Sequence, residues 1–213
     1  MPMRPDKQRA LLDGALRLFA RDGYTRAGID ALAAEAGVSS RTIYNHYGDK
    51  AALFRAVILD SSDRVAEHQI ALADKLLGRV IDLESDLVEF GTRWAAHDPD
   101  TELHFALVRQ IRADIDHIDP GTVAAWHQRG PLRVREALAA HLRRLSDRGL
   151  LAADDPSMAA LHLVQLTAGS VAAAGPDADR DAIVRAGVGV FLRAYAPAEP
   201  SARKQHGATA RRQ

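Results

Sequence analysis

Apolar side chains recur every three or four residues along most of the chain, and no stretch alternates steadily between apolar and polar residues. This spacing places apolar side chains on one face of a helix, as in the N-terminal stripe Leu11, Leu12, Ala15, Leu16, Leu18 and Phe19. The pattern therefore predicts an all-α protein of about nine helices.

Glycine, proline and capping residues predict where those helices begin and end. We expect a first helix over 6–21 ended by Gly23, a second over 28–36 ended by Gly37, and a third over 39–47. A long fourth helix over 50–77 connects them to the rest. Breakers such as Gly130-Pro131 divide the remainder into helices near 81–97, 100–116, 120–129, 131–148, 155–174 and 178–195.

Composition excludes several classes of protein. With 47% hydrophobic and 26% charged residues, the 213-residue chain is neither fibrous nor generally disordered, and with no Cys it has no disulfides or thiol nucleophile. It lacks an apolar leader and a run of eighteen uncharged apolar residues, so we expect a cytoplasmic protein without a membrane span. The tail over 197–213 is basic and poor in bulky apolar residues, which predicts disorder.

Charge is distributed unevenly although the net charge is zero. Residues 1–50 carry a net charge of plus two, residues 201–213 plus four, and residues 51–200 minus six. Basic terminal segments and an acidic middle suit a protein whose terminal part binds a polyanion while its middle part repels the same polyanion.

The segment from Ile29 to Lys50 carries the clearest functional signal. Two short helices joined by a turn at Gly37 are typical of a helix-turn-helix unit, whose second helix enters the major groove of DNA. Ser39 is a good N-cap, and Ile43 and Tyr47 can anchor one face of the helix. At about 1.5 Å per residue the helix is roughly 12 Å long, close to the groove width.

The outer face of this helix has side chains suited to DNA. Arginine can form two hydrogen bonds to guanine, asparagine can do the same with adenine, and hydroxyl groups can hydrogen-bond to either base. We therefore assign base reading to Ser40, Arg41, Thr42 and Asn45. Flanking side chains are expected to contact phosphates, namely Ser39, Tyr44, His46 and Lys50. The alternative from spacing alone is a polar, solvent-exposed helix in an ordinary bundle.

Several motifs in fixed order carry a family resemblance: Gly23-Tyr24, Ile29-Asp30-Ala31-Leu32-Ala33, Ala36-Gly37-Val38-Ser39, Ile43-Tyr44-x-His46-Tyr47 and x-Lys50-x-x-Leu53. Over about residues 7–55 the chain resembles the DNA-binding domain of tetracycline-repressor (TetR) type regulators. The resemblance implies a helix-turn-helix domain over 1–50 and a helical ligand-binding and dimerisation domain over 51–196. It also implies a homodimer that binds a palindromic operator in double-stranded DNA and releases it when a small molecule binds.

The chain departs from the family pattern in two respects. Where the family often has hydroxyl residues that open the second helix, one of them touching phosphate, this chain has Ala27 and Gly28. Thr25 or Arg26 could replace that contact, and the sequence does not show which. Tyr47 stands where the family usually has Phe, which keeps an aromatic anchor and adds a hydroxyl that needs a partner.

The C-terminal body has no comparable motif, and the resemblance implies a ligand cavity between helices five to eight and a dimer face on the last two. Aromatic walls with polar groups suit a ligand pocket, so we nominate Trp94, His97, Phe105, Arg109, Trp126 and His127. The last two helices are apolar nearly all round, which predicts a dimer interface that includes Leu161, Val164, Ile183, Val188 and Phe191. Alternatively, both helices are internal to a monomer.

Two other functions compete with this interpretation. An enzyme or metal sensor could use the histidine-rich body (His97, His104, His117, His127, His141 and His162), with Asp114 and His117 as the best ligand pair. No catalytic or nucleotide-binding motif accompanies them, so we expect no enzyme activity, no cofactor and no metal. The second alternative is a DNA-binding dimer that responds to no effector.

Overall fold

The structure, a computed structural model, describes residues 3–96 and 99–197, and within these ranges it contains nine helices and no strand. The all-α prediction is confirmed. The helices are α1 (Pro5–Arg26), α2 (Ile29–Glu35), α3 (Ser40–Tyr47), α4 (Lys50–Leu77), α5 (Leu83–Ala95), α6 (Pro99–Ala113), α7 (120–147), α8 (156–174) and α9 (Arg180–Ala194). The tail predicted over 197–213 lies outside the described residues beyond position 197.

The predicted break at Gly130-Pro131 is wrong. Helix α7 runs from Pro120–His127 through a π-helical segment, Gln128–Leu132, into Arg133–Asp147. Because a π turn loosens the hydrogen-bond register, it accommodates the missing N–H of Pro131 without ending the helix. Helix α8 is built likewise, with a π segment at Gln165–Gly169.

Gly23 bends the first helix where the sequence predicted its end. Its φ of +82° interrupts α1, which resumes for one turn to Arg26. The backbone N–H of Thr25 in this turn donates to Asp114 Oδ2 at 3.0 Å, just beyond the end of α6. The turn is thus held by a distant part of the chain, which local sequence patterns do not report. After Asp114, a 3₁₀ turn (Ile115–His117) replaces the end of the helix predicted over 100–116.

Two hydrophobic cores lie along α4. The first joins α1, α2, α3 and the start of α4 to side chains of α6 and α7, including Leu107, Ile111 and Trp126. The second joins the end of α4 to α5, the later part of α7, α8 and α9, around Phe90, Leu142 and Phe191. The N-terminal helices therefore share their core with α6 and α7, and a displacement of either helix is felt by the N-terminal unit.

Ion pairs also connect α1 to α4. Arg9 donates to Asp60 at 2.8 Å, and Arg64 Nε donates to the same carboxylate at 3.1 Å. Arg64 Nη2 donates to Asp13 on α1 at 3.3 Å. These pairs are largely solvent-exposed, so each stabilises the contact by at most about 1 kcal/mol.

Candidate nucleic-acid interface

Helix α3 is anchored by one apolar side chain and by its ends. Ile43 is fully buried between the helices of the N-terminal unit. Ser39 is the N-cap, as predicted, and its Oγ accepts from the backbone N–H of Thr42 at 3.1 Å. The half-buried Tyr47 hydrogen-bonds to Gln8, and burial raises the pKa of its phenol. This anchoring leaves the opposite face of α3 at the surface.

The four predicted base-reading side chains fall into two pairs. Arg41 and Asn45 are exposed, four residues apart on one face of α3. Ser40 and Thr42 are half-buried and engaged locally, since Ser40 Oγ donates to Asp30 at 2.6 Å and Thr42 Oγ1 lies 2.8 Å from Ser39 Oγ. Arg41 and Asn45 are therefore the better placed pair for reading bases.

The predicted phosphate-binding side chains also differ in their surroundings. Ser39, Tyr44 and His46 are exposed around α3. Lys50 is half-buried, its Nζ donates to the Tyr24 carbonyl at 3.0 Å, and it lies 4.7 Å from the Tyr24 ring. Lys50 thus stabilises the junction of α1 and α4, a contact that the sequence did not reveal.

The start of α2 lacks the side-chain contact that the family pattern suggests. Ala27 is buried, and Gly28 caps α2 through its backbone with no side-chain hydrogen bond. Thr25 is exposed, but its backbone and side chain both hydrogen-bond to Asp114, and these bonds hold the pKa of that carboxyl below its usual value. Arg26 is also exposed at the end of α1. Asp114 therefore acts as a cap for α1, which argues against its use with His117 as a metal-binding pair.

The six residues nominated for a ligand pocket lie in different surroundings. Trp126 is buried in the first core, whereas Trp94 packs 5.0 Å from Phe90 at the edge of the second. Phe105, Arg109 and His127 are exposed, and His97 lies outside the described residues. Trp94 and Trp126 therefore belong to different hydrophobic cores, and the nominated pocket stays a prediction.

A cavity of about 280 Å³ instead lies between α1, α4 and α6. Buried in its wall, His104 Nδ1 lies 3.0 Å from Ser61 Oγ, and burial lowers the pKa of His104 to about 4. The sequence signal for it is the pair Ser61 and Ser62, which interrupts the apolar stripe of α4 between Ile58 and Val65. The cavity is lined by Leu16, Ser61, Arg64, Val65, His68, Thr101 and His104.

The other candidate histidines lie apart in the body. His141 Nδ1 accepts from Arg144 at 2.6 Å and its Nε2 contacts Asp74 at 2.8 Å, which ties α7 to α4. His162 lies 2.7 Å from the Tyr195 hydroxyl. Within the described part of the chain, no three His, Asp or Glu side chains are grouped so as to hold a metal ion.

Two of the predicted interface residues belong to the protomer core. Val188 and Phe191 are fully buried within the chain, so they do not form an outer face. Leu161 is 36% exposed, and Val164 and Ile183 are half-buried. Among the described helices, α8 is long and apolar enough to cross a membrane by length and composition alone, and 28% of its apolar window is buried inside the protomer. Core helices of soluble proteins pass the same test, so this finding is weak evidence for a membrane span.

A short capped helix on a buried anchor, with an arginine and an asparagine projecting from its free face, is the geometry of a helix-turn-helix DNA-binding protein. Residues 11–57 match the family described as bacterial regulatory proteins, tetR family. Residues 87–197 match the C-terminal domain of AefR-like transcriptional repressors. The chain belongs to the TetR family of transcriptional regulators, and it is a DNA-binding regulator rather than an enzyme.

Relatives and solved structures agree with this assignment. An HTH-type transcriptional repressor of Mycobacterium tuberculosis is 31% identical over 71% of this chain and 72% of its own length. The repressor AcnR of Corynebacterium efficiens is 29% identical over 74% and 75%. A TetR-family regulator from Mesorhizobium loti has a TM-score of 0.77 at 27% identity, covering 92% of this chain and all of that one.

Proposed function

We propose that this chain is a homodimeric transcriptional repressor that binds a palindromic operator and is released by a small-molecule effector. Its recognition helix is α3, with Arg41 and Asn45 reading bases in the major groove. Phosphate contacts come from Ser39, Tyr44 and His46, joined by Lys50 and by Thr25 or Arg26. We expect the protein to bind its operator in the cytoplasm, where the DNA of bacteria is located.

The response to an effector is supported by the way the N-terminal unit is joined to the body. Leu107, Ile111 and Trp126 contribute to the core of the DNA-binding helices, and Asp114 caps the last turn of α1. A ligand that displaces α6 therefore changes the position of α1. An effector must prefer one of the two arrangements by on the order of 5 kcal/mol to reverse a 99:1 population.

The homodimer is supported by the apolar surface of the last two helices. Leu161 and Val190 are 36% and 44% exposed, and Met158 lies nearby on the same helix as Leu161. Exposed apolar side chains on two adjacent helices suit a symmetric four-helix interface with a second copy. Such a dimer would place two α3 helices on half-sites about 34–36 Å apart.

The test is to select bound sequences from random double-stranded DNA with the purified full-length protein. We expect a palindrome whose half-sites are one helical turn apart. Enrichment of a single half-site would contradict the dimer, and no enrichment at low salt would contradict operator binding. The selected operator then serves to screen effectors, and an operator complex that no small molecule releases would favour the effector-independent alternative.

A further inference from the structure

We propose that the cavity between α1, α4 and α6 binds a small organic anion through its carboxylate group. This inference deepens the proposed function, on which it rests, because the cavity would be the effector site.

The lining of the cavity offers hydrogen-bond donors and positive charge. Arg64 supplies a permanent cation with further N–H donors, and His104 supplies an imidazole whose tautomer is set by its contact with Ser61. Thr101 and His68 complete the polar part of the lining. None of the described lining residues is acidic. A carboxylate finds charge-assisted donors in such a lining, whereas a cation would meet repulsion from Arg64.

The polar wall has a buried part, whereas Arg64 and His68 lie at its exposed edge. Ser61, Thr101 and His104 are all at least nine-tenths buried, and Ser61 and His104 offset part of the cost of burial by pairing with each other. The Ser61 hydroxyl can donate to the Ile58 carbonyl, at 3.3 Å, or to His104 Nδ1. His104 can thus adopt either neutral tautomer and offer Nε2 as a donor or an acceptor.

Arg64 connects the cavity to the DNA-binding unit. Its contacts with Asp60 and Asp13 use two of the five N–H donors of a guanidinium group. A carboxylate in the cavity competes with Asp13 for this group, and Leu16, also on α1, forms part of the same wall. Filling the cavity would therefore act on the contact of α1 with α4.

The volume limits the size of the ligand. At about 280 Å³, the cavity is just below the roughly 300–1,000 Å³ typical of small-molecule sites. A compact mono- or dicarboxylate fits this space better than a large aromatic molecule does.

The experiment is calorimetric titration of the full-length protein with benzoate and succinate, and with the neutral analogues benzamide and succinamide. We expect one or both acids to bind and their amides not to bind. In Arg64→Gln the affinity should fall at least about tenfold, because a charge-assisted hydrogen bond is lost. Arg9→Gln is the matched control, since Arg9 pairs with the same Asp60 but does not line this cavity, and its affinity should be unchanged.

Thr101→Val is a second variant, which leaves the ion pairs intact and serves if Arg64→Gln does not fold. It should also weaken binding of the acid. If an acid and its amide bound equally well, the claim that the ligand must be anionic would be overturned. If the acid bound the wild type and all variants equally well, the claim that it binds in this cavity would be overturned. Failure of both acids to bind the wild-type protein would overturn the proposal as a whole. Mobility shift on the selected operator separates the two proposals, because an acid that binds without releasing DNA supports the cavity and contradicts the effector response.

Discussion

At the scale of single residues, the proposed reading of bases rests on Arg41 and Asn45. Both are exposed on one face of α3, whereas Ser40 and Thr42 are held by Asp30 and Ser39. Arg41→Ala or Asn45→Ala should cost about 1–3 kcal/mol on the selected operator and relax base preference at one position. Competition assays with operator variants measure both effects, with Lys75→Ala, at the far end of α4, as the control. Unchanged specificity would exclude a reading role for the substituted residue.

Lys50 has an observed contact with Tyr24 and a predicted contact with phosphate, and one substitution can distinguish them. Its Nζ donates to the Tyr24 carbonyl, and the sequence also predicts a phosphate contact. Lys50→Ala should lower the free energy of unfolding by about 1–2 kcal/mol and flatten the salt dependence of DNA binding by about one unit. Urea denaturation and binding at several salt concentrations test the two effects. A lower stability with an unchanged salt slope would show that Lys50 is purely structural.

His104 should make stability depend on pH. Burial lowers its pKa from 6.5 to about 4, with Arg64 nearby adding to the effect, so the unfolded chain binds more protons between these values. Stability is therefore complete above about pH 6.5 and falls as pH decreases towards 4, by up to about 3 kcal/mol. Urea denaturation across this range should show a smaller decrease for His104→Gln than for the wild type.

The exposed His46 supplies the matched control for this effect. His46→Gln should keep the full pH dependence of the wild type. If His104→Gln also kept it, the loss of stability at low pH would have to come from other groups.

At the scale of elements, the junction of α1 and α6 depends on Gly23. Its φ of +82° disfavours L side chains, and a Cβ there would lie 2.8 Å from Asp114 Oδ2. Gly23→Ala should lower the free energy of unfolding by about 1–3 kcal/mol, measured by urea denaturation. Gly37→Ala is the control for backbone strain, because Gly37 has a φ of +66° with nothing within 4 Å of the added Cβ. Equal losses would show that the contact with Asp114 adds nothing.

At the scale of the whole molecule, the proposed dimer uses side chains that the protomer leaves exposed. Leu161→Glu or Val190→Glu should give monomers by sedimentation equilibrium, because a charge would enter an apolar interface. Affinity for a two-half-site operator should then fall about a hundredfold or more, since the second half-site no longer adds avidity. Ile81→Glu is the control, because Ile81 is 83% exposed outside these helices. A dimer that persists in both variants would contradict this interface.

Much of the fold follows from local chemistry in the sequence. The helical period, the cap at Ser39 and the breakers between helices place α2, α3 and α4 within a residue of their observed bounds. The exposure of Arg41 and Asn45 follows in the same way, because Ile43 and Tyr47 fix which face of α3 is buried. These features depend on residues within a few positions of each other, so they are readable from the chain.

Tertiary structure decided the features that depend on distant residues. Asp114 extends α1 beyond Gly23, Lys50 turns towards Tyr24, and Val188 and Phe191 face inward although their helix is apolar on most sides. The cavity beside Ser61 also forms only when α1, α4 and α6 meet. Periodicity tells which residues avoid water but not which neighbour covers them, because that choice is made by packing between helices far apart in the chain.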